Sequence, residues 1–345
     1  MTGALIATGL LGFSSVGLAS SDLASPALVS SDQAQAAPSE QDRVDCSSVV
    51  APDPSSPDEW LERNLWASHC YAFQARAVII DAIGVRTLAL SHRLQDGVRQ
   101  QVVQNLDGPS VSVERHAQAA RPAWLNTDDI SSNAVGVDGD SSYTAVWAEH
   151  LARYYRIESE AESRVAGRDT IELDFYPLDN DRYTHEWSID RSTGLLLKHV
   201  LKSATGEVLE TFQVTQLQEP QRYDGDIRIE AMDAIPSYDW QANWLPDGFV
   251  EQPAVSATSQ RAQQRSYSDG MTTISVFAEP VEEGSGLAPG VRQLGVSGVA
   301  VKRVTTGDQH WQLLAIGEVP LTTLERVLDA VQPTDGDDPV ANAEL

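Results

Sequence analysis

Between Ile171 and Leu217, apolar and polar residues alternate through successive short runs, and this pattern constrains the fold more than any other feature of the chain. Ile171, Leu173 and Phe175 alternate with Glu172 and Asp174, and Tyr183, His185, Trp187 and Ile189 with Thr184, Glu186, Ser188 and Asp190. Leu195, Leu197, His199 and Leu201 take one face of the next run against Lys198 and Lys202, and Val208, Phe212 and Val214 close the series. Strand side chains point to opposite faces in turn, so these runs predict an antiparallel meander with one apolar and one wet face. Turns at Asp179-Asn180-Asp181, Thr193-Gly194 and Thr205-Gly206 suit hairpin connections. A sheet of this kind has to cover its apolar face with helices or with a ligand.

Other elements flank the meander. Ser56-Pro57-Asp58-Glu59 is a capping box with proline at the first helical position, and it predicts a short amphipathic helix ending near Ser68. Tyr71 to Ile79 alternates as a strand, and further strand-like runs follow to about Val113. Residues 114–142 are polar and read as irregular, and a second helix is predicted from Tyr143 to Arg156. A second unit begins after residue 236. Trp244-Leu245-Pro246-Asp247-Gly248-Phe249 is a turn, Ser268-Asp269-Gly270-Met271 joins two strands, and two more strands precede a helix from Pro320 to Val331.

The chain carries 24 Lys+Arg against 50 Asp+Glu, a net charge of −26. Phosphate backbones require a basic footprint, so nucleic acid is excluded as a partner. Residues 1–36 are read as an atypical signal peptide ending in a small-residue Ala-Gln-Ala triplet, although no basic residue precedes Arg43. Residues 37–55 and 221–236 read as linkers, and 334–345 as an acidic disordered tail. In an exported chain Cys46 and Cys70 most simply form one disulfide, the alternative being two unpaired thiols. The histidines have no metal-ligand spacing, Gly284-Ser285-Gly286 lacks the rest of a dinucleotide loop, and Gly139-Asp140-Ser141-Ser142-Tyr143 lacks the closing glycine of a nucleophile elbow. No catalytic constellation, metal site or cofactor is expected.

Three stretches resemble the RseB/MucB family of periplasmic regulators of an envelope-stress sigma factor. The first runs from Arg164-Val165-Ala166-Gly167-Arg168 through Tyr176-Pro177, Arg182-Tyr183 and Thr193-Gly194. The second is Gly206 with Leu209, Glu210 and Phe212. The third is Trp244, Pro246, Gly248 and Phe249, followed by Tyr267-Ser268-Asp269-Gly270. The resemblance implies an α+β chain. Residues 56–220 would form a lipoprotein-carrier-like open half β-barrel with covering helices, and 237–333 a smaller α/β domain.

The resemblance also implies a non-enzymatic periplasmic protein. Its partners would be the periplasmic domain of an RseA/MucA-like anti-sigma factor, a lipid or lipopolysaccharide ligand, and a second copy of the chain. The alternative on the same scaffold is a lipoprotein or lipid carrier without a regulatory role. A one-faced sheet beside an aromatic helix predicts an apolar groove lined by some of Phe73, Trp147, Tyr154, Tyr155, Trp187 and Leu197. Lysines are scarce, so any lipid phosphate would have to be met by arginines such as Arg153, Arg156, Arg164 and Arg168.

Overall fold

The computed structural model describes residues 43–47, 54–95, 98–108, 112–120, 143–230, 239–252 and 263–334. The signal-peptide segment 1–36, residues 121–142 of the irregular segment and the tail beyond Thr334 lie outside the described residues.

The N-terminal unit contains β1 (Arg43–Asp45), α1 (Pro57–Cys70), β2 (Tyr71–Asp81), β3 (Gly84–Gln95), β4 (Val98–Asn105), β5 (Ser112–Ala120) and α2 (Tyr143–Ala152). It continues with β6 (Tyr155–Val165), β7 (Arg168–Pro177), β8 (Thr184–Asp190), β9 (Leu196–Lys202), β10 (Val208–Leu217), β11 (Gln221–Arg222) and β12 (Asp226–Glu230). The strands form one sheet in the order β1-β12-β5-β4-β3-β2-β10-β9-β8-β7-β6, with β11 on β2. The end strands β1 and β6 do not pair, so the sheet is open rather than a closed barrel. Two meanders, β2–β5 and β6–β10, meet where β10 pairs antiparallel with β2, Phe212 facing Ile79 and Val214 facing Ala77.

The apolar face follows the predicted alternation. Ala75, Ala77, Ile79, Leu88 and Leu90 from one meander join Leu173, Phe175, Trp187, Ile189, Leu197, Phe212 and Val214 from the other in one core. Helices α1 and α2 pack together over it. α1 starts as its sequence dictates. Ser56 Oγ accepts the Glu59 amide at 3.3 Å, and Glu59 accepts the Ser55 amide at 2.6 Å. Trp60, Leu61 and Ala67 are buried, and Asn64 Nδ2 donates to the Gly194 carbonyl at 2.8 Å. Gly194 has φ +85, and a Cβ there would meet Arg63 at 2.9 Å, so the β8–β9 turn requires glycine.

The structure departs from the sequence-based expectations in several places. The segments read as linkers are partly strands: β12 pairs antiparallel with β1 and parallel with β5. Residues 112–120 form β5, held between β4 and β12 by partner strands more than by an alternating pattern of its own. The second helix stops at Ala152. Arg153 and Tyr154 amides bond the carbonyls of His150 and Leu151 in tight three-residue closures, and Tyr155 leaves to pair with Pro177.

Cys46 and Cys70 are disulfide-bonded, and the bond ties β1 to the end of α1 rather than to a strand. Both sulfurs lie in a small cluster with Val44 and Ile227. The bridge closes a loop of 24 residues. Reduction is therefore expected to lower the unfolding free energy by about 3 kcal/mol, mainly by freeing the unfolded chain. Urea titrations with and without reductant check this, and coincident midpoints would contradict it.

The C-terminal unit contains β13 (Trp240–Ala242), β14 (Val250–Gln252), β15 (Gln263–Ser268), β16 (Thr273–Val281), β17 (Gly290–Leu294), β18 (Ser297–Thr306), β19 (Gln309–Gly317), α3 (Leu321–Asp329) and β20 (Val331–Pro333). Its main sheet runs β14-β15-β16-β19-β18-β17, and every pairing in it is antiparallel. The unit is thus α+β, not α/β: hairpins join β15 to β16, β17 to β18 and β18 to β19, and the sheet has no parallel pair among the described residues. One face of α3 buries Leu324, Val327 and Leu328 against Ala300, Leu313 and Ala315. No helix among the described residues is long and apolar enough to cross a membrane.

Candidate functional site

Residues of the first and third sequence stretches, Arg182 with Phe249 and Asp269, meet between the two units. The β7–β8 loop carries Arg182, whose side chain is buried against the C-terminal unit. Arg182 Nε donates to Asp269 Oδ2 at 2.7 Å, one terminal nitrogen pairs with Asp179, and the other donates to the Asp247 carbonyl. The Tyr155 hydroxyl donates to the same Asp269 oxygen at 3.1 Å. Asp269 Oδ1 accepts the amides of Met271 and Thr272 at 3.0 and 2.8 Å, so the β15–β16 turn presents its carboxylate in one orientation. The guanidinium lies 5.1 Å from the Tyr154 ring centre and 5.0 Å from that of Phe249. At the edge, Thr323 Oγ1 at the start of α3 donates to Asp181 at 2.9 Å.

This is an ion pair whose partners are 1% and 0% exposed. A charge so desolvated is tolerated only when paired and fully hydrogen-bonded. Burial opposes the charge on Arg182, but Asp269, Tyr155 and Asp179 outweigh it and hold the guanidinium above its ordinary pKa. Burial, reinforced by Asp269, pushes the Tyr155 hydroxyl well up. Burial also pulls His150 down to about 4, against the opposing pull of Asp269.

Two glycines make the approach possible. Gly248 has φ +83, and a Cβ there would lie 2.4 Å from the Tyr154 ring. Gly270 has φ +97, and its Cβ would lie 3.0 Å from Trp147 Nε1. Gly248→Ala is expected to cost about 2 kcal/mol through backbone strain and displacement of Tyr154. Chemical denaturation checks this, and a wild-type midpoint would contradict it.

The remaining predicted residues fall elsewhere. Trp147, Tyr155, Trp187 and Leu197 are buried in the N-terminal core, and Phe73 and Tyr154 are half-buried against it. Trp147 stacks on Trp187 at 6.4 Å. Tyr154 is not on the helix as expected but packs at the interface. Trp244 lies under Arg326, which is 3.6 Å from its ring centre, and Pro246 accepts the Phe249 amide at 3.1 Å. Tyr183 packs with Leu201 and Val296, a further contact between the units. Arg164, Gly167, Arg168 and Gly194 belong to hairpin turns at the other end of β6–β8. There Arg168 donates to Asp190 at 2.8 Å and Arg164 to the Gly167 carbonyl at 2.7 Å.

The arginines considered for lipid phosphates are already matched by carboxylates: Arg153 with Glu149, Arg156 with Glu158, Arg164 with Asp169 and Arg168 with Asp190. Glu172, Asp174 and Glu186 bring carboxylate oxygens within 4.8 Å of one another. Lys202 pairs with Glu186, and the Tyr176 hydroxyl donates to Asp174. Sequence reasoning did not single out His150, Asp179 or Thr323 as interface residues. Glu210 entered the sequence reading only as part of a family stretch, although it shares a buried face with Phe212 and Val214.

The chain matches the MucB/RseB N-terminal domain over residues 56–238 and the MucB/RseB C-terminal domain over 234–332. It is 31% identical over 303 residues to the sigma factor AlgU regulatory protein MucB of Pseudomonas aeruginosa, covering 83% of this chain and 93% of that protein. It is 25% identical over 251 residues to the sigma-E factor regulatory protein RseB of Haemophilus influenzae, covering 69% and 75%. Among solved structures, MucB in complex with MucA(peri) matches with a TM-score of 0.59 and 30% identity, over 80% of this chain and 98% of that one. MucB alone matches with a TM-score of 0.57 and 29% identity, over 81% and 100%. Motif order, two-unit fold and similarity over most of the chain agree, and the chain belongs to the MucB/RseB family of sigma factor regulatory proteins.

Proposed function

We propose that this chain is a periplasmic negative regulator of an envelope-stress sigma factor. It binds the periplasmic domain of a membrane anti-sigma factor of the RseA/MucA kind and shields it from site-1 proteolysis. The observation that carries this reading is the match to MucB in complex with MucA(peri), which extends through both units. The Arg182–Asp269 latch supports a grip by both units, because it holds their relative orientation. A partner that contacts both would bind best when that orientation is locked. The test mixes the full chain with the periplasmic domain of a single-pass protein encoded beside a sigma factor. A stoichiometric complex and slower site-1 cleavage are expected, and absence of a complex would sink the reading.

Release on a lipidic signal, lipopolysaccharide or mislocalised lipoprotein, belongs to the same proposal. The N-terminal unit would act as an open half-barrel whose core opens to admit an acyl chain beneath α1 and α2. His185 Nε2, Trp187 Nε1 and Thr170 Oγ1, buried in that region without hydrogen-bond partners among the described residues, would meet the polar end of such a ligand rather than its acyl chain. Such atoms are costly unless a polar group meets them. Trp187→Phe keeps most of the ring and removes the indole N–H. It is expected to weaken displacement of a fluorescent fatty acid more than it lowers the melting temperature. Equal losses in both would reduce Trp187 to a packing residue.

A further inference from the structure

On the face of the N-terminal sheet opposite the core, β10, β2, β3 and β4 enclose a trough of about 440 Å³. Its floor is made of small side chains, Ala89 and Ser91 on β3. Its walls carry long amides, Gln74, Gln104, Gln216 and Gln218, and two arginines, Arg76 and Arg93. Among the described side chains no carboxylate lines it, in a chain of net charge −26. Arg76 and Arg93 are exposed and have no ion pair among the described residues, unlike the arginines on β6 and β7 that are held by acidic neighbours. An acidic molecule is repelled by most of this surface and attracted here.

We propose that this trough binds an extended acidic peptide, its carboxylates held by Arg76 and Arg93 and its main chain by the glutamine side chains. The spacing selects this ligand. Arg76 lies beside Ala89, four residues along β3 from Arg93, which is ~13 Å at strand rise. Two acidic residues four apart on an extended peptide lie on one face at that same separation. Each glutamine offers both donors and an acceptor, as a run of peptide groups requires. A monosaccharide phosphate spans too little to reach both arginines, and among the described side chains no aromatic ring lines the trough to support a sugar face.

The trough strands hold none of the latch residues, so this inference and the regulator reading fail independently. The test titrates the full chain, by calorimetry, with an acetylated Glu-Ser-Thr-Ser-Glu peptide, its glutamine counterpart and glucosamine 6-phosphate. The acidic peptide alone is expected to bind. Arg76→Gln and Arg93→Gln should each weaken it roughly tenfold, about what a charge-assisted hydrogen bond contributes. Ser91→Trp, which fills the floor without changing charge, should abolish it. Melting temperatures should stay near wild type, since these side chains are outside the core. No binding of the acidic peptide, equal binding by the arginine variants, or tighter binding of the sugar phosphate would overturn the proposal.

Discussion

Asp269→Ala is expected to lower the unfolding free energy by about 3–5 kcal/mol and to split one thermal transition into two. The cost comes less from the lost attraction than from the charge left behind. Arg182 would remain buried with Asp179 as its one carboxylate partner, and the Tyr155 hydroxyl would lose its acceptor. The β15–β16 turn would also lose the bonds from Met271 and Thr272 that shape it. Adding Arg182→Met to Asp269→Ala removes the stranded charge, so the double variant should recover part of the loss. Arg182→Met alone should uncouple the units without disturbing the turn. Differential scanning calorimetry reads the split and urea titration the magnitude. A single wild-type-like transition in Asp269→Ala would show that other contacts, such as Tyr183 with Val296, hold the units together.

Stability should peak near neutrality and fall on both sides, from two different sets of buried groups. On the acid side, burial pulls His92 and His185 down to about 4, with His150, and takes His69 and His199 well below their ordinary value. His185 and His199 share one hydrogen bond at 2.9 Å, and the His92 Nδ1–H donates to the Tyr71 carbonyl at 2.7 Å. These rings stay neutral in the fold but take up protons in the unfolded chain. Below the ordinary histidine pKa the unfolded state therefore binds more protons, and stability is lost as pH falls toward about 4. A ring held near 4, as His92, His150 and His185 are, removes ~2 kcal/mol by pH 5, a large share of the stability of a typical domain. On the alkaline side the sign reverses. Burial, then Glu318, pushes Glu210 up to about 8 despite Arg86 at 3.7 Å, with Asp81 adding to the rise. Burial takes Glu318 to about 7. The fold keeps protons that the unfolded chain releases above the ordinary carboxylate range, so this stability is lost as pH rises from there through about 8, and no more is lost beyond it. Urea midpoints measured across pH check both arms. His92→Gln should flatten the acid arm and Glu210→Gln the alkaline one. An unchanged profile in either variant would remove that group from the account.

The strands from Arg168 to Leu217 were legible because alternation is a local property. Where one face meets a core and the other meets water, the chain has to record that difference residue by residue. The helix start at Ser56 and the stripe on α3 were legible for the same reason, since capping and helical spacing act within a few residues. The motifs were visible too, but only as words in a line. Arg182, Phe249 and Asp269 are far apart in sequence, and nothing local says that one guanidinium will lie against the other two. The parallel pairing of β12 with β5 and the strand identity of Tyr155 were equally closed to inspection. In each, the deciding contact comes from a distant segment, and it outweighs local propensity because desolvation and packing act on whatever the fold brings together. The sequence by itself determined which faces are apolar, where the turns fall and which family the chain resembles. Only the tertiary structure decided that Arg182 and Asp269, far apart in the chain, are one buried ion pair joining two units, because that pairing depends on how the two sheets dock.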